Sequence, residues 1–152
     1  MEKIGLKYGL LTAAALIAYF FLMRLVGLVH IIELRFLNGL IMAVGVVLAI
    51  RAYKKIVDGN ISYFKGLGTG LITAVVGTTI FAATMVVYIK VGGKELIEVL
   101  AADNLFGDRV ASTPGVVIFS VLMLEGVISG FMIAFIAMQW FKQKDHKVPG
   151  AP

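Results

Sequence analysis

GLGTGLITAVVGTTIFAATMVVYI, residues 66–89, runs for 24 positions without a charge. As an α-helix it would be about 36 Å long, more than the roughly 30 Å hydrocarbon core of a bilayer. A helix of this kind hides its backbone polar groups in its own hydrogen bonds, which is the condition for crossing lipid. Three further stretches read the same way: 9–29, interrupted by Arg24; 36–53, with Arg51 at its end; and 115–139, with a single acid, Glu125. The spacing predicts an all-α integral membrane protein, a bundle of four transmembrane helices forming one domain over residues 1–152.

Composition agrees. Of 152 residues, 60% are hydrophobic and 15% charged, with a mean hydropathy of +0.96. Soluble domains hold about 45–50% apolar and about 25% charged residues, and a chain this small cannot bury such an excess. A soluble enzyme and a disordered chain are both excluded. The absence of cysteine removes a disulfide framework, a cysteine-ligated zinc and a thiol nucleophile. The first stretch follows Lys3 and Lys7 as a signal peptide would, but it is too long and no small-residue cleavage site follows it, so it reads as a retained span.

The formal charge of +5 is a matter of placement. Lys3, Lys7, Arg51, Lys54, Lys55, Lys65, Lys142, Lys144 and Lys147 fall on one side of the expected membrane. Arg35, Lys90, Lys94 and Arg109 fall on the other, accompanied by Glu33, Glu95, Glu98, Asp103 and Asp108. The positive-inside rule therefore predicts cytoplasmic N- and C-termini. The surplus marks topology and affinity for anionic headgroups, and no nucleic-acid partner is expected. Tyr8, Tyr53, Tyr63 and Trp140 fall where an interfacial aromatic belt belongs. In the outer loop, 91–114, Leu96, Ile97, Leu100, Ala101 and Leu105 recur at helical spacing. A short amphipathic helix on the membrane surface is expected there, or else a docking site for a partner.

Membrane helices meet through small residues. At 100° per residue, Gly66, Gly70, Thr73, Gly77 and Thr84 fall within about 60° of one another and predict a packing face. Asn38, Gly45, Ala49 and Ala52 make a similar stripe on the second span, and Gly126, Gly130 and Ala137 on the fourth. Such stripes serve packing within the chain or homodimerisation.

Arg24 and Glu125 are the candidate site residues, with Ser129 one turn from the acid. An ionisable group in the hydrocarbon costs roughly 2.5–3.5 kcal/mol on insertion scales, so it has a partner or a task. With the spans centred near Tyr19 and Val127, Arg24 lies about 7–8 Å and Glu125 about 3 Å outward of the midplane. Arg24 shares a face with Gly9, Ala13 and Gly27 and is expected to point into the bundle. An Arg24–Glu125 pair would staple the first and fourth helices. Alternatively, the carboxylate would bind a cation or proton during transport. Catalysis, a metal and a cofactor are not expected: His30 and His146 fall on opposite sides, no serine shares a face with a base, and residues 66–70 lack the Lys-Ser/Thr ending of a phosphate loop.

Ala49-Ile50-Arg51-Ala52-Tyr53-Lys54-Lys55, then Gly59-Asn60-Ile61-Ser62-Tyr63-Phe64-Lys65-Gly66, together with Lys7-Tyr8-Gly9, resemble a bacterial four-helix membrane family known as domain of unknown function 4199. The first two segments match its cytoplasmic hairpin. The resemblance implies a bacterial inner-membrane protein and carries over no catalytic residue. Arg35 with Asn38 also faintly resembles the polar helix of eicosanoid-and-glutathione-type membrane enzymes, but too few polar residues follow to build a thiol-substrate site. The expected function is that of a non-enzymatic accessory or structural subunit in a membrane assembly or homo-oligomer. The alternative is a small proton- or cation-coupled transporter centred on Glu125.

Overall fold

The computed structural model describes residues 1–28, 35–91 and 114–141. The expected outer-loop helix, His30 and His146 lie outside them. Among the described residues all regular structure is helical: α1 (Glu2–Leu25), α2 (Arg35–Ile56), α3 (Tyr63–Val91) and α4 (Pro114–Phe141). Each is long and apolar enough to cross a membrane.

Glycine ends α1 earlier than the expected 29. Gly27 takes φ +74°, its N–H donates to the Arg24 carbonyl, and the Leu28 N–H donates to the Met23 carbonyl. This is a left-handed C-terminal cap, which glycine adopts without a Cβ penalty. At its other end α1 begins at Glu2, well before the expected residue 9. Gly5 and Gly9 are already packed there, while Lys3 and Lys7 face outward. The α2–α3 turn uses Asp58 and Gly59, both at positive φ, with the Gly59 N–H donating to the Lys54 carbonyl.

α3 is the hub, packed along α1 on one side and α4 on the other, with α2 across both. Against α4 it presents Gly66, Gly70, Ala74 and Thr78, which meet Met138, Ala134, Gly130 and Gly126 in turn. Both sets are spaced by four, so two i±4 rows run antiparallel at close approach. Against α1 it presents Thr69, Thr73 and Gly77, which meet Gly5 and Gly9, and the Thr73 hydroxyl donates to the Gly5 carbonyl at 3.3 Å. The single α3 stripe expected from sequence thus divides. Gly66 and Gly70 serve α4, whereas Thr73 and Gly77 serve α1. On α2, Gly45 receives Thr12 of α1.

The buried core is small-residue and aliphatic: Ala74, Ala82, Ala134, Val46, Ile50 and Met138. α4 has the most apolar window of the four and the least buried one, 11% against 44% for α3. That inversion is what lipid as a solvent allows, because apolar side chains lose nothing by facing hydrocarbon. The helix ends bearing Lys3, Lys7, Arg51, Lys54, Lys55 and Lys65 gather at one end of the bundle. Met1 there approaches Gly68 and Lys54 reaches Phe141.

Candidate functional site

Polar side chains from three helices converge on one cleft. Asn38 of α2, Thr78 of α3, and Glu125 and Ser129 of α4 line it, above an apolar floor that includes Leu16, Met42 and Phe81. Thr78 and Glu125 lie within about 4 Å of the middle of their helices at 1.5 Å rise per residue. The cleft volume is about 70 Å³, enough to admit water, which needs roughly 10–15 Å³ by this measure.

The hydroxyls of α3 show what is unusual here. Thr69, Thr73, Thr79 and Thr84 each donate to the carbonyl four residues earlier. This is the ordinary way a helix absorbs a hydroxyl in an apolar setting. Thr78, only 3% exposed, does not. Its Oγ1 and the Asn38 Oδ1 are buried with no hydrogen-bond partner among the described residues. A buried polar atom left unmatched costs on the order of 1–3 kcal/mol. Two such atoms lie on one cleft.

Position explains why Thr78 differs. It lies against Gly126, where a Cβ would stand 2.8 Å from the Thr78 Cβ, so close helix approach fixes its side chain toward α4. Gly126 also clears the space beside Glu125. Glu125 itself is exposed at the cleft mouth, and the Ser129 hydroxyl donates to its main-chain carbonyl.

Arg24 does not line this cleft. Its guanidinium lies over the Tyr88 ring, 4.7 Å from the centroid, and Tyr88 packs edge-on against Phe20 at 5.2 Å. The expectation that Arg24 points into the bundle is corrected: the residue is exposed. Leu16 shares the cleft with Asn38, and Arg24 lies eight residues, about 12 Å, farther along α1. The cation is met instead by the face of an aromatic ring. α1 and α4 lie on opposite flanks of α3, which sends Arg24 and Glu125 to different surroundings.

Of the residues singled out from sequence, the structure brings Glu125 and Ser129 together with Asn38 and one threonine of α3. Gly66, Gly70, Thr73, Gly77, Gly126 and Gly130 are all at helix contacts. The particular importance of Thr78 was not legible, because α3 carries five threonines between residues 69 and 84 and periodicity alone ranks none of them.

No match was found among curated proteins or among solved structures. A family model described as protein of unknown function, DUF4199, matches residues 7–143. That span includes the cleft and nearly all of the four helices. The chain therefore belongs to the DUF4199 family.

Proposed function

We propose that the protein is a non-enzymatic, multi-pass subunit of a membrane assembly or homo-oligomer, working through the outer face of α4. One observation carries this reading: Glu125 is exposed near the middle of the most apolar and least buried helix. Leu124, Ile128 and Met132 are exposed beside it. An ionisable group on an otherwise apolar, outward-facing helix surface is a polar contact point that a neighbouring helix can recognise. The face around Glu125 is the one we assign to another transmembrane helix.

The proposed setting is a bacterial cytoplasmic membrane with both chain ends on the cytoplasmic side. The six cations gathered at one end of the bundle support that orientation through the positive-inside rule.

Native mass spectrometry after gentle extraction tests the subunit reading. A stoichiometric partner or a homo-oligomer that Glu125→Leu dissociates is the expected result. A monomer unchanged by extraction conditions, and unaffected by Glu125→Leu, would overturn it.

The cleft supports a second reading, a proton or monovalent-cation carrier. Its basis is the pair of unmatched oxygens, Asn38 Oδ1 and Thr78 Oγ1, on the cleft that Glu125 also lines. Here a cysteine introduced at Ser129 should react with water-soluble thiol reagents, the chain having no other cysteine. Inert behaviour from both sides of the membrane would discard the carrier.

A further inference from the structure

An apolar groove of about 420 Å³ runs between α2 and α4 toward the basic end of the bundle. Ala43 and Val47 line it from α2, and Ile133, Ile136, Ala137 and Trp140 from α4. Phe141 completes its lining. The groove is separate from the Glu125 cleft.

Two features beside Phe141 are not apolar. Lys54 lies there, with Nζ donating to the Phe141 carbonyl at 3.3 Å and standing 5.7 Å from the centroid of the Phe141 ring. An ammonium has three donors, so two remain for an outside acceptor. Arg51 is the next member of the α2 row that contains Ala43 and Val47, each four residues apart, and it is exposed. From Ala43 to Arg51 that row covers about 12 Å. Trp140, 84% exposed, stands at the same level, where an indole favours the boundary between hydrocarbon and headgroup.

We infer that this groove is a binding site for one anionic glycerophospholipid. An acyl chain lies along Ala43, Val47 and Ile133, and the headgroup phosphate is met by Arg51 and Lys54. Charge complementarity selects this occupant. A second transmembrane helix would gain from the apolar walls, but it would place apolar residues against two cations. A zwitterionic lipid would bring its own cation to a basic site. Basic pockets between helices at the positive end of a membrane protein are where acidic headgroups are held.

The inference rests on residence in a bilayer, which membrane fractionation checks separately. The test uses the full chain, purified from membranes in mild detergent and stripped of lipid. Phosphatidylglycerol or phosphatidylcholine with identical acyl chains is added, and native mass spectrometry counts the lipids retained. One phosphatidylglycerol per chain is expected, preferred by about fivefold for each cation that reaches the phosphate. Arg51→Gln combined with Lys54→Gln should bring the two lipids to parity. Should the double variant fail to fold, Arg51→Gln alone, at an exposed position, should at least halve the preference. Ala43→Phe keeps both charges but fills the groove, and should abolish retention of the first lipid. Equal retention of both lipids by the unaltered chain would overturn the inference, as would a preference that survives these variants. A dimer that Ala43→Phe blocks, with no lipid retained, would give the groove to a second copy and also overturn it.

Discussion

Gly130 and Ala74 meet with no room for a further carbon between them: a Cβ on Gly130 would overlap the Ala74 Cβ. One turn away, a Cβ on Gly70 would stand 2.7 Å from that of Ala134. The α3–α4 contact is thus set by two backbones at closest approach.

Enlarging Gly130 must push the helices apart. Gly130→Val should lower stability by about 1–3 kcal/mol, the usual range for overpacking. The matching control is Gly39→Ala, because nothing lies within 4 Å of a Cβ there; it should be neutral or gain up to about 1 kcal/mol. Thermal unfolding in detergent followed by circular dichroism compares the two. Equal melting temperatures would refute the close-packed ladder.

Thr73 ties α1 to α3 by sharing its one hydroxyl proton between the Gly5 carbonyl and the Thr69 carbonyl of its own helix. Thr73→Val preserves shape and removes the hydroxyl. Interhelical hydrogen bonds in membrane proteins average about 0.6 kcal/mol, with a maximum near 1.7. A loss of roughly that size is expected in steric-trap or denaturant unfolding, with Thr79→Val, an exposed site, costing less.

Glu125 separates assembly from folding. Glu125 is exposed at the cleft mouth, so Glu125→Leu should leave the isolated chain folded, at a cost within the about 0.5–3 kcal/mol usual for single substitutions. The same variant should dissociate the complex. Size-exclusion chromatography beside a melting curve reads both, and a large fall in melting temperature with the oligomer intact would place the acid in the fold rather than at an interface.

Gly59 holds φ +86° in the α2–α3 turn, where an L side chain is strained. Gly59→Ala should cost about 1 kcal/mol or slightly more, although nothing lies near its Cβ position. An unchanged melting temperature would show that the turn has another conformation at little cost.

Much of the fold is legible in the sequence. The count of helices follows from 24 uncharged residues at 66–89 and three comparable runs, because hydrocarbon thickness and backbone hydrogen bonding leave such segments one stable form. The clustering of basic residues at one end was legible for a similar reason: charges stay out of the spans, so their order along the chain maps onto the two ends. The small residues that make contacts were also identifiable by size alone.

What only the tertiary structure decided is which neighbour each of them meets. A helical wheel places Gly70 and Thr73 about 60° apart and assigns them to one face, yet the border between α4 and α1 falls between them. One helix's sequence defines its angles but not where its neighbours stand. In lipid, apolarity no longer separates inside from outside, which is how α4 came to be both the most apolar helix and the least buried. Arg24 was likewise placed by its neighbours: its angle on α1 predicted burial, but it is exposed and its guanidinium rests on the Tyr88 ring of α3. The convergence of Asn38, Thr78 and Glu125, drawn from three separate spans, depends on the register between helices, and register is settled by where Gly126 lets Thr78 approach.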